Sequence, residues 1–315
     1  MADDEKPDID GSNNGSRSRT RLVIIGTGIP YPDPLLSGPA AAIIVDDTPY
    51  LVDFGPGVIR RTEAAYLSGE YSLRSRNLKT AFLSHMHSDH TIGYPDLIYT
   101  PWVMGRDEPV QVYGPKGLDN MTAHMLAAYD MDKTQRICGL EAINPDGFGV
   151  VSHEIEAGRI YQDERIEVDA FLVDHGDTWE AFGFRFQTPD GVIVISGDTR
   201  PAEGLIEASK GCDILLHEVY SAAGFRNRPQ DWQRYHSHMH TSSEELAEIA
   251  SEIQPGMLVL THLLLWGRSE EELLEEVSEG YAGDVVCASD LDIFQLEKDG
   301  EGWYSNLLLP ERFQK

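Results

Sequence analysis

The stretch Ser84-His85-Met86-His87-Ser88-Asp89-His90 puts three imidazoles and one carboxylate into six consecutive positions of a chain that has 11 histidines in 315 residues. In an extended loop, alternate side chains converge on one point while the next pair turns toward another. His85, His87, Asp89 and His90 therefore read as parts of two adjacent metal sites. Neutral imidazole and carboxylate are ligands that zinc accepts at about 2.0–2.2 Å, and a position left open to water makes the ion catalytic. Just before the cluster, Thr80 to Leu83 is a short apolar run that reads as a strand. The cluster then lies in a loop at a strand end, where functional residues concentrate.

Upstream, Leu22 to Ile25 is a strand ended by Gly26-Thr27-Gly28, and Ala40 to Val45 and Tyr50 to Phe54 are strands joined by Asp46-Asp47-Thr48-Pro49, which has hairpin turn chemistry. Val58 to Leu67 fits an amphipathic helix. Downstream, helices are predicted near Tyr94 to Tyr99 and Leu118 to Tyr129, with a strand at Val110 to Tyr113. Asp132 to Gly149 reads as a loop over one face, with a substrate lid as one role for it. Strands follow at Ile166 to Val173, Phe182 to Gln187, Val192 to Ser196, Asp213 to His217, Met257 to Thr261, Asp284 to Ala288 and Asp292 to Leu296. The clearest helices between them are Glu203 to Lys210 and Ser242 to Glu252. Strands that cluster, then alternate with helices, predict an α/β fold with two central sheets and helices outside.

Two metal ions need more donors than the cluster supplies. Three downstream positions set a histidine or aspartate after an apolar run: His175 after Phe171-Leu172-Val173-Asp174, Asp198 after Val192 to Gly197, and His262 after Met257 to Thr261. His153 competes with His175, and His217 also ends an apolar run. In Tyr235-His236-Ser237-His238-Met239-His240-Thr241-Ser242-Ser243 the histidines alternate as ligands on an extended strand would, which makes the stretch a candidate third metal site.

These motifs resemble the metallo-β-lactamase superfamily, in which an HxHxDH run is followed by a distant His, a bridging Asp and a final His. The likeness is especially close to the ribonuclease Z and arylsulfatase-like branch, through Gly26-Thr27-Gly28, Asp53-Phe54-Gly55, Tyr113-Gly114-Pro115, Ser196-Gly197-Asp198-Thr199, His217-Glu218 and Thr261-His262. The resemblance implies an αββα sandwich of two mixed sheets with helices on the outer faces. It implies two Zn²⁺ ions, with Mn²⁺ or Fe²⁺ as alternatives, one held by His85, His87 and His175 and the other by Asp89, His90 and His262, with Asp198 bridging. A metal-bridging hydroxide is then the nucleophile, and Asp89 orients it. His240, opening a helix capped by Thr241 or Ser242, would stabilise an oxyanion or protonate the leaving group, with Glu218 orienting its ring. On the same likeness His175 is preferred to His153, His217 braces the loop, and His236 and His238 fall on the pocket rim or the surface.

Ribonuclease Z grips transfer RNA with a long Gly/Pro-rich arm before its Gly-Asp-Thr motif. Here Phe184 to Ser196 reads as a simple hairpin, with Thr188-Pro189-Asp190-Gly191 as its turn. The formal net charge of −28, from 53 acidic and 25 basic residues, adds repulsion toward polyanions, so nucleic acid is disfavoured as a partner. The function expected from sequence is a binuclear zinc hydrolase of small esters (sulfate, phosphodiester, or carboxylic ester and lactone), with Trp102, Phe225 and Trp232 as apolar walls. The alternative is a ribonuclease Z-like endonuclease acting on tRNA 3′ ends. A third reading, an iron redox or non-catalytic member of the fold, is opposed by His87, where a redox member would carry an acidic residue, and by seven filled ligand positions.

Cys138, Cys212 and Cys287 form no CxxC pair and are too few for a disulfide framework. Residues 1–20 are acidic and Ser-rich with no apolar stretch, and nowhere do about 18 uninterrupted apolar residues occur. The expectation is a disordered tail over 1–20, a hydrolase domain over 21–315, a cytoplasmic location, no membrane contact, and a homodimer if the chain self-associates.

Overall fold

A computed structural model describes residues 19–296 and the strand 303–306. Its strands are β1 Thr20–Gly26, β2 Ala40–Val45, β3 Thr48–Val52, β4 Thr80–Phe82, β5 Val110–Gly114, β6 Val150–Glu154, β7 Gly158–Gln162, β8 Glu167–Val173, β9 Ala181–Gln187, β10 Val192–Ile195, β11 Ile214–Tyr220, β12 Met257–Leu264, β13 Val285–Cys287, β14 Asp292–Gln295 and β15 Trp303–Asn306. They form two mixed sheets, in the orders β15-β14-β1-β2-β3-β4-β5-β6 and β13-β12-β11-β10-β9-β8-β7.

The long apolar runs follow from burial on both faces. Successive strand residues point to opposite sides, and a strand covered on both reads as a continuous hydrophobic run. In β1, Leu22 and Ile24 pack between the sheets while Val23 and Ile25 pack under the helices of the first sheet. In β2, Ala41, Ile43 and Val45 face the intersheet layer, and Ala40, Ala42 and Ile44 face the helices. The second sheet mirrors this: Ile193, Ile214, Leu216 and Val259 meet the intersheet layer, and Val194, Leu215, Leu258 and Leu260 lie under the helices Ser243–Ile253 and Glu270–Ser278. Phe182, Phe184 and Phe186 of β9 supply much of the central layer, with Phe82 opposite. The result is helices, sheet, sheet, helices: the αββα arrangement and the metallo-β-lactamase fold.

Most predicted elements are present within a few residues, and the helix Val58–Leu67 has the expected bounds. Strands β6 and β7 and the helix Gln230–Met239 were not expected, and one expected loop differs. Within the expected loop Asp132 to Gly149 lies most of a helix, Asp130–Cys138, none of whose residues is buried. Lys133–Asp130 and Arg136–Asp132 ion pairs one turn apart, with two aspartates in the first turn, hold it. An apolar stripe was lacking, so periodicity gave no signal. The remainder is tied to the helix Tyr94–Val103 and the residues after it: Trp102 Nε1 donates to Asn144 O, and Arg106 to the carbonyls of Gly147 and Gly149. Of the expected tail, Thr20 belongs to β1 and Arg19 pairs with Asp46, while residues 1–18, like residues 297–302 and 307–315, lie outside the described residues. No described helix is long and apolar enough to cross a membrane.

Candidate metal centre

The site lies on the seam between the sheets. From the first sheet, the chain leaves β4, whose neighbours β3 and β5 run parallel to it, and enters 84–90. From the second, His175 follows β8, Asp198 follows β10, and His262 lies in β12. A hydrogen bond from Phe182 N to Ser84 O, 2.9 Å, joins the two sheets at this edge. Gly197 has φ +62, and a Cβ there would lie 2.8 Å from Phe182 O and 3.0 Å from Ser84 Cβ. The glycine lets the Asp198 loop pass this close.

His262 was expected where a loop begins after β12; it is instead an interior residue of that strand. Opposite it, the β11–β12 register shifts: Glu218 pairs with Thr261, and Val219 with Leu263. His262 is the extra residue of a β-bulge, at φ +47, and a bulge re-aims a side chain out of the ordinary alternation.

The seven expected ligands come together. His85 Nε2 and His175 Nε2 each lie 3.0 Å from His87 Nδ1, and Asp198 Oδ2 lies 3.9 Å from His85 Nε2 and 4.0 Å from His175 Nε2. On the other side, Asp89 Oδ2 is 3.4 Å from His262 Nε2 and 3.6 Å from His90 Nε2, while the two oxygens of Asp198 reach His90 at 3.5 Å and His262 at 3.6 Å. Two donor groups, His85-His87-His175-Asp198 and Asp89-His90-His262, thus share Asp198 as the group between them.

The electrostatics fit divalent cations. Burial, with neighbouring imidazoles, depresses His85 well below the ordinary histidine range and His87 to about 4; burial takes His175 to about 4 against the pull of Asp198. These rings are neutral at pH 7, the form in which imidazole ligates. His90 and His262 move upward despite burial, because Asp198 faces both, with Asp53 on His90 and Asp89 on His262. His90 Nε2 is buried amid these carboxylates without a hydrogen-bond partner among the described residues. Lone pairs packed this closely, with an orphaned ring nitrogen among them, are what a bound cation would satisfy.

Three further residues orient the donors. Asp53, at φ +58 after β3, accepts from Ser84 N at 2.7 Å, Ser84 Oγ at 2.8 Å and His90 Nδ1 at 2.8 Å. Sequence reading quoted Asp53 as a motif and gave it no role; the signal available was an aspartate at a strand end in Asp53-Phe54-Gly55. His175 Nδ1 donates to Met239 O at 2.6 Å. His240 Nδ1 and Glu218 Oε1 are 3.0 Å apart, and Oε1 also accepts from Thr199 N and Thr241 N. A ring nitrogen of His240 lies within 4.8 Å of donor atoms of Asp198 and His262. Burial and Asp198 push the Glu218 carboxyl well up, and burial takes His240 down to about 4. Ser242 caps the helix Ser243–Ile253 with a full capping box, one of the two expected caps.

His236 and His238 are not on an extended strand but on a helix, Gln230–Met239. His238 is exposed, whereas His236 is buried among rings rather than on the rim or surface. His153 lies on β6 against Gln111 and Tyr113, away from the cluster. His217 is fully buried, its Nδ1 beside the Glu218 carbonyl. Of the three expected apolar walls, Trp102 is in the core at 1% exposure and Phe225 packs, tilted, against Tyr220 and Trp266. Trp232 is open to solvent, and a residue not singled out, Trp179, sits edge-on to His87 at 4.8 Å.

Residues 48–263 match the family model described as "Beta-lactamase superfamily domain". Ribonuclease Z of Mycobacterium sp. (strain KMS) is 33% identical over 248 residues, 77% of this chain and 84% of that protein. Among solved structures, the metallo-beta-lactamase fold protein YhfI from Bacillus subtilis superposes with a TM-score of 0.66 at 19% identity, covering 92% of this chain and 100% of that one. Human tRNase Z, short form, gives 0.65 at 21% identity, covering 88% and 99%. These two show the shared fold.

Proposed function

Since the chain belongs to the β-lactamase superfamily of metal-dependent hydrolases, we propose that its metal centre hydrolyses phosphodiester bonds in RNA, the reading that ranks second on sequence alone. His85, His87 and His175 would hold one divalent cation, Asp89, His90 and His262 the other, and Asp198 would lie between them. When bound, such a pair lowers the pKa of a shared water and clamps the oxygens of an in-line displacement.

The chain's own residues do the rest. Buried imidazoles stay neutral and keep their lone pairs for ligation. Asp89 sits beside His90 and His262, where it can accept a hydrogen bond from an entering water. Glu218 is a positioning residue: it fixes the His240 ring through Nδ1 and shares a proton with it. As the Nε2–H of the neutral His240 ring passes to the leaving oxygen, the proton that burial keeps on the Glu218 carboxyl moves to Nδ1. That pair is the observation that carries the reading. A leaving ribose oxygen is a poor leaving group that needs a proton, whereas an aryl oxide departs without one. The name ribonuclease Z, borne by a relative 33% identical to this chain, supports RNA among the esters with alkoxide leaving groups.

A second reading, a small ester, is favoured by the connection between β9 and β10. It is a tight turn, Thr188 N to Gly191 O at 2.9 Å, with nothing projecting to grip a folded RNA. The two readings separate in one experiment: metal analysis, then cleavage of a tRNA precursor with a 3′ trailer at low and high salt, beside an aryl phosphodiester, an aryl sulfate, a lactone and a β-lactam. Wild type should hold metal and cleave the RNA, and Asp198→Ala should lose both. Turnover of sulfate or lactone with the RNA intact at every salt would move the assignment to the second reading.

A further inference from the structure

In a chain with 25 basic against 53 acidic residues, the segment from Arg226 to His240 is a local exception. It holds Arg226, Arg228 and Arg234 and three histidines against one carboxylate, Asp231. Arg226 is paired with Glu244, but among the described residues neither Arg228 nor Arg234 has an ion-pair partner. Arg228 instead lies 5.8 Å from the ring centre of Trp232 and 5.5 Å from that of Trp266.

The aromatic rings of this segment form a column that runs into the metal centre. Trp232 stacks on His236 at 5.6 Å and 23°, His236 lies over His240 at 5.6 Å and 38°, and His240 over His262 at 5.8 Å and 18°. The outer end is open: Trp232 is 49% and Tyr235 41% exposed, with the tyrosine edge-on to Trp232 at 5.7 Å. The inner end is the candidate metal ligand His262. His236, only 7% exposed, keeps Nδ1 without a hydrogen-bond partner among the described residues. The Tyr235 ring also lies edge-on to His240 at 6.5 Å, which places it beside the site mouth.

Large apolar rings left in water at the lip of a polar site are a binding surface. Unpaired guanidinium groups beside them select an anion, and flat rings select a flat partner. We infer that Tyr235, beside His240, and Trp232 and Arg228 beyond it form a platform that stacks a nucleobase at the mouth of the metal centre, so that the substrate is recognised by a base as well as by its phosphodiester. This rests on the proposed phosphodiesterase reading. Stacking is tolerant of base identity, so the platform would give a preference for nucleotides over simple diesters without strong sequence specificity.

The test compares two diesters with the same leaving group, adenosine 3′-(p-nitrophenyl) phosphate and methyl p-nitrophenyl phosphate, on metal-loaded wild type, Trp232→Leu, Trp232→Phe and Tyr235→Leu. One stacked base predicts a kcat/KM ratio of roughly 5- to 150-fold in favour of the nucleoside ester in wild type. The ratio should collapse toward one in Trp232→Leu, fall in Tyr235→Leu, and survive largely in Trp232→Phe, which keeps a ring. Independently of turnover, adenosine 3′-monophosphate should quench tryptophan fluorescence in wild type and much less in Trp232→Leu. A wild-type ratio near one, or a ratio and quenching unchanged in Trp232→Leu, overturns the platform while leaving the hydrolase reading intact. Quenching that depends on Trp232, with neither diester hydrolysed, supports the platform and overturns the phosphodiesterase reading.

Discussion

Replacing Asp53 by Asn tests the metal centre from a residue that would not itself ligate. Position 53 is left-handed at φ +58, a conformation asparagine tolerates, so the backbone should survive. The hydrogen bonds should not. Three donors converge on the carboxylate: Ser84 N on one oxygen, Ser84 Oγ and His90 Nδ1 on the other. An amide has only one acceptor oxygen. If its nitrogen turns toward His90, the ring must accept at Nδ1 and carry its proton on Nε2, the atom that faces Asp89 and Asp198. A protonated Nε2 cannot ligate. If the nitrogen turns toward Ser84, a buried backbone N–H loses its acceptor and His90 loses a charge-assisted bond. Either outcome costs about 1.5–3 kcal/mol, a factor of roughly 10–150, in line with the 10- to 100-fold loss usual when a ligand's supporting partner is removed. Competition with a chromophoric chelator measures this directly: one of two metals should be held that much more weakly in Asp53→Asn, the other little changed. Retention of both metals within threefold of wild type would refute the reasoning, because it would mean that His90 needs no orienting carboxylate.

Three other outcomes are expected. Glu218→Gln should lower kcat on RNA or an alkyl diester by roughly 10²–10⁴-fold with metal content unchanged, and much less on an aryl diester, whose leaving group needs no proton; equal losses on both would remove the proton-delivery role. His217 titrates near 4 in the fold, because it is buried, against 6.5 when exposed. Its folded value is depressed, so its stabilising effect is complete above 6.5 and lost as pH falls from there toward 4, by roughly 3 kcal/mol. Urea unfolding of chelator-treated His217→Phe should therefore show a flatter acid limb than wild type, and parallel limbs would contradict the assignment. Arg106 is fully buried, with its guanidinium on the carbonyls of Leu97, Ile98, Glu108, Gly147 and Gly149. Arg106→Met should cost roughly 3 kcal/mol or more, since it strands buried carbonyls; a urea midpoint like that of wild type would show that these carbonyls find other donors.

The strands and the ligand cluster were legible because each imposes a pattern within a few residues. Two-sided burial makes β1, β2, β10 and β12 continuous apolar runs, and a metal site concentrates histidines. What was not legible depends on relations that sequence order does not carry. Nothing local distinguishes His262 as a bulge from a histidine at a loop start, because a bulge is a mismatch between two strands. The helix Asp130–Cys138 lacks a buried face, so its cause, ion pairs between adjacent turns, leaves no hydrophobic period. His236 and His238 alternate in sequence as strand residues would, yet on a helix they sit about 200° apart, one in a ring stack and the other in solvent. Trp102 follows Leu97, Ile98 and Tyr99 and precedes Val103 and Met104, whereas Trp232 stands among Gln230, Asp231, Gln233 and Arg234, so the neighbours in sequence already separated a core ring from an open one.

The argument from net charge needs a different scale. A total of −28 disfavours polyanions if the average field governs binding, but that field is screened within about 8 Å at physiological salt and about 3 Å at 1 M. Charge at the site is set locally. Of the seven candidate ligands, five are imidazoles and two, Asp89 and Asp198, are carboxylates, so two divalent cations would bring +4 against −2 and leave the centre at +2. Arg228, against Trp232 and Trp266, and Arg234 lie on the segment that leads to His240 and have no ion-pair partner among the described residues. An acidic shell around a cationic centre slows approach at low salt and loses that penalty as salt rises, while attraction at contact distance persists. The surface charge therefore governs how fast a phosphodiester arrives and under what salt, and the groups within hydrogen-bond reach of the centre govern whether it is held.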